Sequence, residues 1–245
     1  MSTIFWAGDS TCQQNYMNTY PQTGIAQVFD RFTKRGEVTV SNHAINGRST
    51  KSFLDEGRLV PIYDRMEAGD FLFIQFGHND EKEQDAARYA AAFGDYAVNL
   101  EKFVNAARNK GAIPIIITPC CRRLFSGNTP AYRHTDWAES ARQTAARLGV
   151  ACVDLTAMSE ALVQSTGIEE SRRFYMCLEP GAYPNFPDGQ NDNSHLRPEG
   201  AMAYAGLIAG ALWAMGGAYA ALIAPEAAAW LQAHGTVDAD AEKER

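Results

Sequence analysis

Five short apolar runs alternate with longer segments of helical spacing along most of this 245-residue chain. The apolar runs occupy residues 3–7, 37–42, 71–76, 113–118 and 150–154. Each run is almost continuously apolar, as expected of strands that are covered on both faces. Helical spacing or helix-start signals occupy residues 24–32, 52–63, 89–110, 137–148, 156–165, 198–215 and 225–233. This alternation predicts an α/β fold built on a five-stranded parallel sheet.

The chain is long and apolar enough to form one large core, since 46% of its residues are hydrophobic. We therefore expect a single domain over residues 1–235, followed by a charged, frayed tail over residues 236–245. The formal net charge of -7 provides no broad cationic surface, so we expect no nucleic-acid partner. The sequence contains no uninterrupted apolar run of about 18 residues, so we expect no membrane span.

The start of the sequence has neither the basic segment nor the apolar segment of a signal peptide. This predicts a cytoplasmic protein, with secretion as the alternative if a leader was removed. The sequence by itself leaves the oligomeric state open.

The chain has five cysteines, an odd number, and none of them has CxxC spacing. This usage argues against a disulfide framework and against a zinc site. We expect the cysteines to be reduced, and we expect no metal or other cofactor.

Polar segments follow the first three predicted strands. They are residues 8–11 (Gly-Asp-Ser-Thr), 46–49 (Asn-Gly-Arg-Ser) and 77–80 (Gly-His-Asn-Asp). In an open parallel sheet, ligands bind beyond the carboxyl ends of the strands. We therefore expect the three segments to share one rim of the sheet and to contribute to the functional site.

A serine and a histidine near opposite ends of the chain form the candidate catalytic pair. A serine hydroxyl needs a neutral imidazole within hydrogen-bond reach, and a third group must orient that imidazole. Of the five histidines, His195 alone has an acid three residues before it, Asp192. A turn there would place the carboxylate against Nδ1 and leave Nε2 to face Ser10. We predict that Ser10 is the nucleophile, His195 the base and Asp192 the orienting acid.

Acyl transfer also needs hydrogen-bond donors aimed at the oxyanion of the tetrahedral intermediate. Three donors are available on the predicted rim: the backbone N–H of Ser10, the backbone N–H of Gly47 and the side-chain amide of Asn79. Glycine lets the backbone approach a ligand closely, and asparagine donates through its NH2 group while its oxygen is held by the loop. These three groups are the predicted oxyanion hole.

Each of these residues also has an ordinary structural interpretation. Ser10 could cap a helix after a strand, and Asp192 could be a turn residue beside a surface histidine. Glycine and asparagine at the ends of strands are common turn formers, which covers Gly47 and Asn79. The functional interpretation rests on the combination of all the segments, since Gly-Asp-Ser alone is a weak pattern.

Together with residues 192–196 (Asp-Asn-Ser-His-Leu), the three rim segments resemble the four sequence blocks of SGNH/GDSL hydrolases, in the same order. Gly-Arg-Ser at 47–49 and Gln-Phe-Gly-His-Asn-Asp at 75–80 most resemble the rhamnogalacturonan acetylesterase branch, carbohydrate esterase family 12. Thr11 stands where many superfamily members have leucine, a feature that this branch shares. The resemblance implies a flavodoxin-like α/β/α sandwich and the removal of O-acetyl groups from pectic or related sugars. It also implies the oxyanion-hole roles of Gly47 and Asn79.

Candidate substrate-binding residues lie after the fourth strand and in the late loops. Arg122 and Arg123 could pair with a uronic acid carboxylate, although such arginines are more often part of a solvated face. Trp137 and Tyr183 could stack on sugar rings, although loop aromatics also pack locally. The region 171–196 is predicted to be a long irregular loop, and loops of that length usually serve a site.

Two other functions remain open from the sequence, whereas a third, the α/β-hydrolase, is disfavoured. A lysophospholipase, thioesterase or general short-chain ester hydrolase could use the same fold, but an acyl-chain enzyme would need an apolar trough near Ser10. An α/β-hydrolase would need a Gly-x-Ser-x-Gly pentapeptide, which the sequence lacks. A non-catalytic flavodoxin-like binding module is the alternative of another class, because a fold does not fix a function. Whether the acetylated substrate is a polymer or an oligosaccharide is also open.

Overall fold

A parallel sheet of five strands forms the centre of the protein in a computed structural model that describes residues 1–131 and 134–227. The strands are β1 (Ser2–Gly8), β2 (Val38–Asn42), β3 (Phe71–Gln75), β4 (Ile113–Ile117) and β5 (Ala151–Val153). Every predicted strand is present, and each predicted boundary lies within one residue of the observed one. The spatial order is β2-β1-β3-β4-β5, with all neighbours parallel. This is the flavodoxin-like order, and its switch point for ligands lies between β1 and β3.

Helices cover both faces of the sheet. They are α1 (Ile25–Val28), α2 (Thr50–Asp55), α3 (Val60–Arg65), α4 (Ala97–Asn109), α5 (Thr135–Leu148), α6 (Leu155–Thr166), α7 (Pro198–Met215) and α8 (Gly217–Ala220). Side chains that alternate along the strands point into two separate apolar clusters. One cluster joins Ile4 and Trp6 to α1, α6 and α7, and the other joins Phe5 and Ala7 to α2, α3, α4 and α5. The predicted three-layer α/β/α sandwich is therefore confirmed.

Two predicted helices were wrong in their extent. The segment predicted as one helix over 52–63 forms α2 and α3, because the chain turns at Gly57 with a φ of +69°. The segment predicted over 89–110 becomes regular α-helix only at Ala97, since Gly94 adopts non-helical angles of φ -118° and ψ -113° just before it. Apolar spacing continues through both breaks, so periodicity alone did not detect them. The predicted helix over 225–233 and the predicted tail over 236–245 lie mostly or wholly outside the described residues.

The region 171–196 was predicted to be an irregular loop, and this was wrong in part. It contains an antiparallel ribbon of two strands, β6 (Tyr175–Leu178) and β7 (Gln190–Leu196), which is not part of the central sheet. Six consecutive polar residues, from Gln190 to His195, make up most of β7. Because these residues show no alternation of apolar and polar side chains, the sequence pattern did not indicate a strand.

Three further observations concern membrane spans, metal sites and disulfides, none of which the sequence predicts. Within residues 1–131 and 134–227, no helix combines the length and hydropathy needed to cross a bilayer. The same residues contain no cluster of three or more His, Cys, Asp or Glu side chains arranged to hold a metal ion. All five cysteines are free thiols.

Candidate active site

Ser10 lies in a tight turn directly after β1, at the centre of the sheet. The carboxylate of Asp9 holds this turn, because its Oδ1 accepts hydrogen bonds from the backbone N–H of Thr11 at 2.9 Å and from its hydroxyl at 2.8 Å. The backbone N–H of Cys12 donates to the Asp9 carbonyl at 3.1 Å. Asp9 is buried, and burial raises the pKa of its carboxyl despite these hydrogen bonds. The position of Ser10 is therefore set by the end of a central strand.

Asp192 and His195 lie on β7. The Nδ1 atom of His195 is 2.6 Å from Oδ2 of Asp192, and Oδ1 accepts the backbone N–H groups of Ser194 at 2.8 Å and of His195 at 3.0 Å. Partial burial acts to raise the pKa of Asp192, but the hydrogen bonds and the positive charge of His195 outweigh it and lower this pKa to about 2. The carboxylate therefore stays ionised at neutral pH and fixes the orientation of the imidazole.

The structure brings the two ends of the chain together at one contact. The Nε2 atom of His195 lies 2.9 Å from Oγ of Ser10, although 185 residues separate them in the sequence. The order of contacts is therefore carboxylate, imidazole and hydroxyl, with each pair at hydrogen-bond distance. In this geometry an imidazole accepts the proton of a serine hydroxyl as that oxygen attacks a carbonyl carbon.

Gly47 and Asn79 line the same pocket as Ser10. Gly47 has a φ of +77°, a left-handed conformation that favours glycine. The side-chain amide of Asn79 donates to the Arg48 carbonyl at 3.1 Å, and Arg88 donates to the amide oxygen at 3.4 Å. One N–H of the Asn79 amide remains for a ligand. Within the described residues, the backbone N–H groups of Ser10 and Gly47 donate to no protein acceptor, so three donors are available at this point.

These side chains line a small pocket of about 90 Å³. Its walls are formed by Ser10, Thr11, Asn46, Gly47, His78, Asn79, Lys82, Arg88, Arg122, Ser194 and His195. The predicted nucleophile, base and oxyanion donors therefore lie around one cavity, and Asp192 lies behind the imidazole. Pockets for drug-sized ligands are several times larger, about 300–1,000 Å³, so this cavity suits a small acyl group.

The model of the GDSL-like Lipase/Acylhydrolase family matches residues 7–203. The chain belongs to this family. It is 39% identical to the rhamnogalacturonan acetylesterase RhgT of Bacillus subtilis (strain 168) over 208 residues, which cover 84% of this chain and 87% of the relative. It is 35% identical to the probable rhamnogalacturonan acetylesterase YesY of the same strain over 206 residues, covering 84% and 90%. The predicted family and its rhamnogalacturonan acetylesterase branch are thus confirmed.

A solved structure of the Bacillus subtilis protein YxiM has the same fold. The two structures superimpose with a TM-score of 0.76 at 24% sequence identity, over 87% of this chain and 56% of the other. At this identity the likeness concerns the fold alone, and it agrees with the α/β/α sandwich described above.

Arg122 and Arg123, which the sequence offered as carboxylate-binding residues, hold the segment that carries Asp192 and His195. Arg122 lines the pocket, but its guanidinium donates to the hydroxyl of Ser194 and pairs with Glu81 at 3.0 Å. Arg123 is buried, and it donates through its backbone N–H to the Asn193 carbonyl at 2.8 Å and through Nη1 to the Asn193 side chain at 2.9 Å. In this GDSL-family chain the two arginines attach β7 to the end of β4.

Trp137 and Tyr183 do not line the pocket around Ser10. The indole N–H of Trp137 donates to the Ala90 carbonyl at 2.9 Å, and its ring packs against the apolar cluster under α4 and α5. The ring of Tyr183 packs edge-on against the ring of Tyr20, with 5.8 Å between the ring centroids. This contact connects the 179–189 loop to the segment after Ser10. Both side chains make the local packing contacts that were the alternative interpretation.

Sequence reasoning missed two cations of the pocket, Lys82 and Arg88. Arg88 forms an ion pair with Asp85, whereas Lys82 has no hydrogen-bond or ion-pair partner for its ammonium group among the described residues. Burial lowers the pKa of Lys82, and the charges of Arg88 and Arg122 lower it further. The available sequence signal was spacing, because Lys82 follows Asn79 by three residues and therefore lies near it in a turn.

Asp80 was also missed as a structural anchor. It is fully buried, and its Oδ1 accepts a hydrogen bond from the backbone N–H of Thr50 at 2.9 Å and another from the Thr50 hydroxyl. This contact joins the start of α2 to the end of β3. Among the described residues no donor reaches Oδ2, and burial raises the pKa of the carboxyl to about 8. Asp80 therefore supports the loop that presents Gly47.

Proposed function

We propose that this chain is a carbohydrate acetylesterase that removes O-acetyl groups from pectic, rhamnogalacturonan-type sugars through an acyl-enzyme on Ser10. The observation that carries the proposal is the 2.9 Å contact between Ser10 Oγ and His195 Nε2, beside a cavity of about 90 Å³ that Gly47 and Asn79 also line. The two Bacillus relatives are named as rhamnogalacturonan acetylesterases, which supports the same substrate class.

In the first half of the reaction, Ser10 Oγ attacks the acetyl carbonyl carbon while His195 Nε2 takes the hydroxyl proton. The carbonyl oxygen becomes an oxyanion and accepts hydrogen bonds from Ser10 N–H, Gly47 N–H and the Asn79 amide. Loss of one such donor typically costs about 3–4 kcal/mol of transition-state stabilisation. When the intermediate collapses, the bond to the sugar oxygen breaks and His195 gives its proton to that oxygen. The products are a deacetylated sugar and acetyl-Ser10.

In the second half, water enters the position that the sugar hydroxyl has left. His195 takes a proton from the water as its oxygen attacks the acetyl carbon, and the same three donors hold the new oxyanion. The bond between the acetyl carbon and Ser10 Oγ then breaks, and the proton on His195 returns to the serine. Acetate leaves and the free enzyme is restored. Asp192 remains ionised throughout and stabilises the imidazolium that forms in each half.

The charge of the pocket supports an acidic sugar over a lipid. Lys82, Arg88 and Arg122 line the cavity together with side-chain amides and hydroxyls. A uronic acid carboxylate is attracted to such a rim, whereas a long acyl chain needs an apolar trough. Lys82 is the cation best placed to pair with that carboxylate, since Arg88 and Arg122 already pair with Asp85 and Glu81.

A panel of substrates tests the proposal. Acetate release is measured from acetylated rhamnogalacturonan, acetylated xylan and small sugar acetates, and hydrolysis of p-nitrophenyl acetate is compared with that of p-nitrophenyl octanoate. We expect the acetylated pectic substrate to be preferred and the acetyl ester to be cleaved faster than the octanoyl ester. Faster octanoyl turnover would instead favour a lysophospholipase or thioesterase. Absence of hydrolysis of every ester would favour a non-catalytic binding module.

A further inference from the structure

A second and larger cavity lies directly beside the Ser10 pocket, with a volume of about 590 Å³. The segment after the Ser10 turn forms one wall, and the segment after β2 forms the other. The two cavities share a partition, because Gln13 lines the larger one and its side-chain oxygen accepts a hydrogen bond from the backbone N–H of Asn46, which lines the smaller one. The larger cavity is therefore separated from the Ser10 pocket by the contact between Gln13 and Asn46 and lies next to it.

Five side-chain amides contribute to the wall of this cavity, beside apolar and aromatic groups. We call it the amide groove and define it by six of its lining residues, which are Gln13, Gln14, Asn15, Tyr16, Asn18 and Asn42. A carboxamide offers two N–H donors and an acceptor oxygen, which is the combination that pairs with vicinal sugar hydroxyls. Tyr16 adds an aromatic ring that is 72% exposed, and such a ring is able to pack against the C–H face of a sugar.

The amide groove is held in place before any ligand arrives. The amide of Asn42 donates to the Cys12 carbonyl at 2.8 Å, and its oxygen accepts the backbone N–H of Ala44 at 3.0 Å. Gln27 braces the opposite wall, because it accepts the backbone N–H of Asn15 at 3.0 Å and donates to the Asn15 carbonyl at 3.2 Å. Asn185 donates to the carbonyl of Met17 at 2.7 Å. A preformed groove loses little conformational entropy when it binds a ligand.

The charge of the amide groove differs from that of the Ser10 pocket. The basic side chains in the lining of the groove are those of Arg58 and His43, and Arg58 is paired with Glu56. Burial lowers the pKa of His43, and the charge of Arg65 lowers it further, so the imidazole is neutral near pH 7. The Ser10 pocket, in contrast, contains Lys82, whose ammonium group has no hydrogen-bond or ion-pair partner among residues 1–131 and 134–227. The groove therefore suits a ligand with hydroxyl groups and no carboxylate.

We infer that the amide groove is a binding subsite for a neutral sugar unit adjacent in the chain to the acetylated sugar, with Tyr16 stacking on it and Asn18 binding its hydroxyls. The inference rests on the proposed function, since it assumes that the acetylated sugar lies at Ser10. It makes the substrate an oligosaccharide or polymer with at least one neutral unit, and it excludes an isolated monosaccharide acetate as the preferred substrate.

The test compares the wild type with Tyr16→Ala and Asn18→Ala on substrates of increasing length. These are p-nitrophenyl acetate, an acetylated monosaccharide and an acetylated rhamnogalacturonan oligosaccharide. For the wild type, we expect kcat/KM for sugar acetates to rise by about tenfold or more from the monosaccharide to the oligosaccharide. Each variant should lose about tenfold on the oligosaccharide beyond any loss on p-nitrophenyl acetate, and the loss should appear mainly in KM.

Met17→Ala is the matched control. Met17 lies between the two mutated positions, is 79% exposed and does not line the groove. We expect this variant to behave as the wild type on all three substrates. Equal wild-type rates on the monosaccharide and the oligosaccharide, an unchanged Tyr16→Ala variant, or equal losses on all substrates would each overturn the inference.

A different experimental result would contradict the proposed function itself. If the wild type hydrolyses p-nitrophenyl acetate but releases acetate from no carbohydrate, the substrate class itself is wrong. If it deacetylates the oligosaccharide normally while the groove variants retain full activity, only the subsite is wrong. Binding of a deacetylated oligosaccharide to the Ser10→Ala variant, measured by calorimetry with and without Tyr16→Ala, adds a readout that needs no catalysis. We expect Tyr16→Ala to weaken this binding.

Discussion

The two halves of the candidate catalytic centre are held in place by different means. Ser10, Gly47 and Asn79 follow strands of the central sheet, and main-chain hydrogen bonds and buried side chains set their positions. Asp192 and His195 lie on a two-stranded ribbon outside that sheet. The side chains of Arg122 and Arg123 attach the ribbon to the end of β4, together with one main-chain hydrogen bond from Arg123 N–H to the Asn193 carbonyl. The central sheet thus positions the nucleophile, whereas the base depends on the contacts of a separate ribbon, among them those of two arginine side chains.

This difference determines which substitutions remove a reacting group and which disturb the alignment of His195 with Ser10. A change in the half attached to the sheet removes a reacting or donating group while the surrounding backbone remains held by the core. A change in the contacts that attach the ribbon leaves every reacting group present but loosens the alignment of His195 with Ser10. A displacement of a reacting group by about 1 Å can lower the reaction rate by a factor of about 100.

Ser10→Ala should have the largest effect. Removal of the nucleophilic oxygen should lower kcat on p-nitrophenyl acetate by about 10⁴-fold to 10⁶-fold, because the acyl-enzyme can no longer form. Acetate release in a coupled assay gives the rate, and circular dichroism checks that the fold is retained. A residual rate within tenfold of the wild type would contradict the role of Ser10.

Asp192→Asn should lower kcat by about 10³-fold to 10⁴-fold. The amide retains the shape of the carboxylate but favours the wrong tautomer of His195 and cannot stabilise the imidazolium. A pH–rate profile measured beside the kcat values distinguishes this cause from unfolding, since the substitution should change the pH dependence while the melting temperature stays near that of the wild type. The role of Asp192 would be wrong if the variant kept both the rate and the pH profile of the wild type.

Arg123→Ala should reduce kcat by about tenfold to 100-fold with little change in KM, because the Asn193 side chain loses the Nη1 donor of Arg123 and the alignment of His195 is loosened. Arg123→Lys should recover only part of the rate, since lysine cannot reproduce the planar fork of donors. Both variants are compared on p-nitrophenyl acetate with thermal unfolding measured in parallel.

Arg172→Ala is the matched control for the Arg123 substitutions. Arg172 pairs with Glu179 at 3.1 Å on the exposed side of the same region, away from the pocket lining. We expect the control to keep wild-type kcat. If Arg172→Ala and Arg123→Ala lowered kcat equally, the cause would be general destabilisation of the ribbon. The positioning role of Arg123 would then be wrong.

Lys82→Gln should lower kcat/KM on acetylated galacturonate oligosaccharides by about fivefold to tenfold, since it removes one charge-assisted pair. Acetylated xylo-oligosaccharides, which lack that carboxylate, should be affected less. Higher ionic strength should reduce the wild-type preference for the acidic substrate. The control is Lys51→Gln, because Lys51 pairs with Asp55 outside the pocket. Equal losses on acidic and neutral substrates would show that Lys82 does not recognise charge.

Asp80→Asn should have the smallest effect on activity but a measurable one on stability. Burial raises the folded-state pKa of Asp80 to about 8 from its ordinary value of 3.8, so the native state binds more protons than the unfolded state between these values. The free energy of unfolding therefore falls as pH rises through this interval, by up to about 1.4 kcal/mol per pH unit. Asparagine does not titrate, so the variant should lack this contribution.

Denaturant unfolding at several pH values between about 4 and 8 measures this slope. Asp64→Asn, at an exposed position, is the control and should keep the wild-type slope. Identical pH dependence in the wild type and Asp80→Asn would mean that Asp80 does not carry the proton in the folded protein.

The sheet could be predicted from the sequence because its strands are short, apolar and buried on both faces, so that pattern and structure agree. Ser10, Gly47 and Asn79 followed from that sheet, since the ends of parallel strands meet at one rim. The ribbon could not be predicted, because β7 is polar and its pairing with β6 depends on contacts between residues distant in the sequence. For the same reason the sequence offered Arg123 only as a ligand-binding residue or as part of a solvated face, although its partner Asn193 lies 70 positions further along the chain.

Labelling with a serine-reactive fluorophosphonate tests most directly whether the sheet and the ribbon form one catalytic centre. The reaction requires a serine that is activated by its imidazole, and peptide mapping by mass spectrometry identifies the modified residue. We predict one adduct, on Ser10, in the folded wild type, with strongly slowed labelling in Asp192→Asn and Arg123→Ala and none after unfolding. An unlabelled Ser10 in folded protein that still releases acetate would contradict the account.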